Sequence, residues 1–346
     1  MEKFDFDDLV IVPGVLSKVN SRQDISVLDS YGMLPIFTAP MDTVVDRENY
    51  LTYLKLGINV CIPRNTPTFS IENSEDVFIS ISLDEFEDLV NRYFDMYSHL
   101  ESINILVDIA NGHMSRLYDL SKKFIKIRRT TNHVLMVGNI ANPKTYKKYC
   151  DIGVDYVRVG IGGGSGCLTS ANTGVHYPMA SLISECYMIK KKGEYDTRIV
   201  ADGGFKRYDQ IIKALSLGAD YVMLGGIFNQ SLESCGRNYI FNHIEISQGL
   251  TKMIWYEYPI LRRFLSKSFR GMSTKEVQRK WNRHKITTSE GISKKNKIKY
   301  TLYGWIENFS DYLKTTMSYC GVTNLNDFKS VKHEIMTNNS FNRYNK

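Results

Sequence analysis

The residues best suited to chemistry fall within YVRVGIGGGSGCLT, residues 156–169. Cys167 ends a run of glycines (Gly160, Gly162, Gly163, Gly164, Gly166) that encloses Ser165, and Thr169 follows two residues on. Glycine permits φ > 0 and close approach of backbone, so such a loop can turn several N–H groups toward an anion. A thiol among oriented amides is favoured as thiolate, the form that attacks electrophilic carbon. The same composition suits a flexible turn around a small buried thiol, and on these residues alone the two readings stand level. Elsewhere, Asp108 with Asn111-Gly112, Asp202-Gly203-Gly204, and Gly225-Gly226 place a carboxylate or bare amides directly after an apolar run.

The elements that must position these groups are the apolar runs themselves. They recur at 33–39, 57–62, 76–82, 103–110, 133–139, 156–161, 198–203 and 221–226. Segments with helical patterning lie between most of them, at 84–91, 114–127, 143–151, 180–192 and 208–217. The runs are nearly continuous and rich in Val and Ile, as strands covered on both faces should be. Eight strands alternating with helices predict a (β/α)8 TIM barrel. An open doubly wound sheet is the rival, and eight units in series without a topological break favour closure. In such barrels reactive groups gather at the C-terminal strand ends, with phosphate on the loops after strands seven and eight. Here those loops are Asp202-Gly203-Gly204 and Gly225-Gly226, each also suited to a tight turn.

Composition narrows the class. The chain has 346 residues, 43% hydrophobic and 23% charged, in the range of globular proteins. No apolar leader or run of eighteen apolar residues occurs, which predicts no membrane span and a cytoplasmic protein. Six scattered cysteines without CxxC spacing read as free thiols, and scattered histidines offer no zinc site. Of these, Cys61, Cys150, Cys186 and Cys320 read as buried apolar fillers, and His113 and His176 receive no catalytic role. The net charge of +7 is uneven: thirteen Lys or Arg between Leu261 and Lys299 face only Glu276 and Glu290. A basic, aromatic stretch suits an anionic partner, but no nucleic-acid-binding motif is present, so nucleic acid is not the expected partner. Residues 229–271 are too long for a simple connection and read as a lid or binding loop. The expected organisation is one barrel domain over 1–335, a flap and mouth insertion over 229–300, and a disordered tail over 336–346.

In this order, the motifs resemble the IMP dehydrogenase and GMP reductase family. They run from FDFDDLVIVPG (4–14) through APMDTVVD (39–46), VDIANGHM (107–114), VGNI (137–140) and the cysteine loop. TGVHYP (173–178), ADGG (201–204), GADYVMLGG (218–226), FRGMS (269–273), SEG (289–291) and TTMSYCGVTNLNDF (315–328) follow. The resemblance implies a homotetrameric barrel that binds a purine 5′-monophosphate and a nicotinamide cofactor. By position it makes Cys167 the nucleophile at purine C2 and Thr169 its companion in proton transfer. Glu290 would meet the base, and Asp108 would lie along the nicotinamide. Ser165, Asp202, Gly203, Gly204, Gly225, Gly226, Gly271, Met272, Ser273, Ser289 and Gly291 would hold the nucleotide. Ser21, Arg22, Arg64, Ile109, Ala110, Asn111, Gly162, Thr315, Thr316 and Ser318 would hold the cofactor. Carbonyls of Gly162, Gly164 and Cys167 are the implied monovalent-cation (K+) donors.

Within the family, strands two to four leave no room for the CBS regulatory domain common in dehydrogenases. No Arg-Tyr pair lies between Met272 and Glu290 to activate water, and TGVHYP resembles the reductase segment. The expected activity is therefore NADPH-dependent GMP reduction to IMP, with NADH or NAD as alternative cofactors and IMP dehydrogenase as the alternative enzyme. YCG (319–321) leans toward dehydrogenases. Arg64 replaces the reductase Lys, Thr287 replaces an Arg, and 233–271 exceeds the family length. These departures leave open an altered purine substrate or a nucleotide-binding member with little catalysis.

Overall fold

The computed structural model describes residues 3–64, 66, 76–92, 102–128, 132–164, 166–272, 274 and 291–336. Eight short strands form one parallel sheet: β1 (Ile36–Thr38), β2 (Val60–Ile62), β3 (Val77–Ile81), β4 (Asn104–Asp108), β5 (Val134–Ile140), β6 (Tyr156–Val159), β7 (Arg198–Asp202) and β8 (Tyr221–Leu224). From β2 to β8 each strand pairs with its sequence neighbour, and β8 pairs with β1. Between β1 and β2 the ring is completed by a bridge from Phe37 to Asn59, with Thr38 N–H donating to Asn59 O at 2.9 Å. The eight apolar runs thus close into the (β/α)8 barrel expected of them.

Alternation along the strands explains why they stay together. Val157 and Val159, like Ile105 and Val107, face outward and join the main core with helices α1 (Leu83–Asn91), α2 (Ser115–Ile127), α3 (Pro143–Asp151), α4 (Met179–Gly193) and α5 (Tyr208–Ser216). The opposite set fills the interior. Its floor is aromatic: Phe37 lies 5.4 Å from Phe78 and 5.0 Å from Tyr221, and Phe78 lies 5.3 Å from Tyr156. Cys61, Leu106, Met136, Val200 and Met223 belong to the same buried cluster. Two residues further toward the C-terminal ends, the same inward set continues into Asp108, Arg158 and Asp202.

Past β8 the structure departs from the expectation of a lid or loop. Strands β9 (Asn238–Ile240), β10 (Ile244–Ile246), β11 (Leu265–Arg270) and β12 (Ser293–Lys297) form an antiparallel sheet in the order β10-β9-β11-β12. Helix α6 (Gln248–Glu257) packs Ile254 and Trp255 with Leu265, Leu232 and Ile298 in a separate small core. Buried Asn229 fastens this sheet to the barrel. Its Nδ2 donates to Thr43 O (2.8 Å) and Ser268 O (2.9 Å), and its Oδ1 accepts from Asn296 (2.8 Å). The closing helix α7 (Leu302–Cys320) is followed by a strand, His333–Ile335, that pairs antiparallel with Leu9–Ile11. The tail expected over 336–346 lies outside the described residues from 337 onward.

Candidate active site

The C-terminal strand ends open into a cleft of about 400 Å³. Its floor is an ionic cluster built by strand alternation. Arg158 on β6 is buried, with Nη1 donating to Asp108 (2.7 Å) on β4 and Nη2 to Asp202 (2.8 Å) on β7. Asn139 on β5 adds donors to Asp202 Oδ2 (2.7 Å) and Gly160 O (2.9 Å). Burial pulls against the Arg158 charge, but Asp202 and Asp108 outweigh it and hold the guanidinium above its ordinary range. Cys61 lies beneath this cluster; burial pushes its thiol well up, which suits an inert filler.

The cysteine loop leaves β6 at Gly160, whose φ is +127° and whose added Cβ would stand 2.3 Å from Asp202 O. No other residue type fits there without displacing β7. The Cys167 thiol donates to Thr169 Oγ1 at 3.2 Å, and Cys167 N–H donates to Gly164 O at 2.9 Å. The loop is also held from the mouth sheet. Cys167 forms an antiparallel bridge with Gly291, Ile292 N–H donates to Gly166 O (3.1 Å), and Gly271 N–H donates to Ile292 O (3.0 Å). A Cβ on Gly271 would stand 2.3 Å from Gly166 O, so this approach requires glycine. Arg270, beside it, is anchored in an ion pair with Asp42.

A family model described as the IMP dehydrogenase / GMP reductase domain matches residues 66–344. The chain belongs to that family. The GMP reductase of Bacillus subtilis (strain 168) is 28% identical over 98% of this chain and 98% of its own. The GMP reductase of Phytophthora infestans is 27% identical over 94% and 88%. An inosine-5′-monophosphate dehydrogenase of Chlorobaculum parvum is 32% identical, over 65% of this chain and 43% of its own.

Against the family pattern, the cleft brings together Cys167, Thr169, Gly162 and Gly164 on one wall and Asp108, Ile109 and Ala110 on another. Asp202, Gly203, Gly204, Gly225 and Gly226 line it as well, with Gly271, Met272 and Arg64. Gly291 reaches Cys167 through the bridge. Asn111 does not line the cleft; its Oδ1 accepts from His113 N–H at 3.1 Å. Ser21, Arg22, Thr315, Thr316 and Ser318 form a separate group where α7 meets the N-terminal segment. There Arg22 donates to Thr315 (3.0 Å) and Ser318 O accepts from Ser17 (2.7 Å). Ser165, Ser273, Ser289 and Glu290, and Thr287 with them, lie outside the described residues. The carbonyls of Gly162 and Gly164 already accept from Ser170 (3.0 Å) and Cys167 (2.9 Å). Among the described residues no cluster of His, Cys, Asp or Glu could hold a metal ion.

Arg158 and Asn139 were not singled out by the sequence. The available signal was alternation: Arg158 sits two residues after Tyr156, on the inward parity of a strand otherwise apolar. A buried arginine requires a carboxylate partner, and Asp108 and Asp202 end strands with the same parity.

Proposed function

We propose that this chain is a GMP reductase, acting through Cys167 on a purine 5′-monophosphate. Sulfur bonds to C2 as the thiol proton is relayed through the Thr169 hydroxyl to the exocyclic amine, whose bond to C2 breaks as it leaves as ammonia. A nicotinamide cofactor, NADPH in this reading, supplies the hydride when bound. Hydride at C2 breaks the carbon–sulfur bond, returning the thiolate and giving IMP. Gly203, Gly204, Gly225 and Gly226 would present amides to the phosphate, and Asp202 would accept from the ribose hydroxyls through the oxygen not occupied by Arg158 and Asn139. Asp108, held by Arg158, would line the nicotinamide with Ile109, Ala110 and Arg64. No step runs through K+.

The observation that carries this reading is a thiol 3.2 Å from a hydroxyl in the cleft that also holds the phosphate-type amides. Reduction is favoured over IMP oxidation because the GMP reductases match nearly end to end, whereas the dehydrogenase match covers 43% of that protein. The absence of an Arg-Tyr pair between Met272 and Glu290 supports the same direction. Purified protein should consume NADPH with GMP and not form NADH from IMP, and Cys167→Ala should abolish turnover. NADH production from IMP would reverse the assignment, and full turnover in Cys167→Ala would remove the covalent step. A homotetramer belongs to the same proposal and is read by sedimentation. Among the described residues no helix is long and apolar enough to cross a membrane.

A further inference from the structure

We propose that one face of the mouth sheet, away from the cleft, binds single-stranded nucleic acid. Register defines that face. Tyr239 on β9 stands opposite Ser266 on β11, which stands opposite Lys297 on β12, and Ser268 stands opposite Lys295. The other face carries Ile240, Leu265 and buried Lys267 toward the small core beneath α6. Lys295 Nζ lies 3.7 Å above the Tyr239 ring centroid. At the hairpin end of the same strands, Phe241 N–H donates to Phe264 O (3.0 Å) with the rings 4.8 Å apart. Arg263 sits 4.8 Å over Phe264. Phe241 is 46% exposed, so its ring is open to a ligand.

Charge points to a polyanion. Arg237, Arg263, Lys295, Lys297 and Lys299 are exposed on this face and its flanks, against Glu245 alone among the described residues there. Rings interleaved with cations are what a single strand uses, bases stacking while phosphates meet Lys and Arg. An exposed cation–π contact such as Lys295 on Tyr239 is weaker than base–aromatic stacking, so a base can displace the ammonium toward a phosphate. A duplex hides its base faces and would leave the rings unused. A membrane fits less well. The exposed apolar residues of α6, Leu250, Met253 and Tyr256, project from a helix packed on the opposite face of the sheet. No single plane could therefore take up both the apolar stripe and the cationic face.

The test is fluorescence anisotropy with a labelled 5′-hydroxyl oligouridylate of about a dozen nucleotides, in saturating GMP so that the cleft is not read. With four phosphate contacts, log K should fall with log salt at a slope of about −3. Lys295→Ala with Lys297→Ala should reduce that slope by about 1.4, as two lost contacts require. Tyr239→Ala should weaken binding about tenfold with the slope unchanged. Circular dichroism melts of each variant confirm folding, and no readout depends on turnover. Absence of binding at low salt overturns the proposal, as does equal affinity in the variants. Binding confined to duplex or to phosphatidylserine vesicles overturns it too, as does concentration-dependent self-association that occludes Tyr239.

Discussion

Replacing Arg158 with methionine tests the central electrostatic argument. The side chain is 6% exposed and is the shared cation of Asp108 and Asp202. Methionine fills much of the volume and leaves two carboxylates facing the barrel interior without a counter-charge. Removing one partner of a buried ion pair typically costs about 3–5 kcal/mol. Here the carboxylates are 14% and 15% exposed and Asp202 keeps its Asn139 donor, which places the loss near the lower end, about 3 kcal/mol. That is a large share of a typical folding free energy. Urea denaturation at neutral pH should read it directly. Asp108→Asn in the same chain should recover part of the loss, because it removes one of the uncompensated charges. Arg158→Lys should fall between, keeping the charge but losing the fork that spans both carboxylates. A loss below about 1 kcal/mol in Arg158→Met, or no recovery in the double variant, would show that the cluster is not held together as described.

Three further outcomes follow from the geometry. Burial lowers the Lys267 ammonium from 10.5 to about 8 where Leu232 O and Ser234 O accept its protons. Between those values the unfolded chain binds the extra proton, so stability should rise with pH by on the order of 3 kcal/mol, and Lys267→Met should abolish the rise in urea midpoints. Gly160→Ala must place a Cβ against Asp202 O at positive φ, so it should lower the melting temperature and reduce purine nucleotide affinity; unchanged values for both would contradict the packing. His113 accepts Ala141 N–H at Nε2 (3.0 Å) and contacts Thr145 at Nδ1 (3.0 Å), and burial lowers its pKa. Protonation would lose that acceptor, so thermal stability should fall as pH drops below 6.5, and His113→Gln should flatten that acid limb.

The barrel was readable because strands covered on both faces write themselves as near-continuous Val/Ile runs, and every such run became a strand. Helix α3 was legible to the residue because Asn142 caps it (2.9 Å to Lys144 N–H) and Pro143 opens it. The mouth sheet was not legible. Its β9 and β10 are three residues long, and the central β11 interrupts its alternation with Ser266 and buried Lys267, whose charge is satisfied by distant carbonyls that no local pattern reveals. At the site, Cys167, Asp108 and Asp202 stood out by type and neighbourhood. Arg158 and Asn139 did not, because their significance lies in pairings 21 to 63 residues away along the chain. Such pairings exist only once the ring has closed.

The meeting of Gly271 with Ile292 has a consequence for how this scaffold can vary. Gly271 meets Ile292 and Gly291 meets Cys167 in one hydrogen-bonded contact beside the sulfur, so a change on either of these two strands is felt at the thiol. A substitution that parts these two backbones would loosen the loop that carries the thiol, while the foundation goes on folding as before.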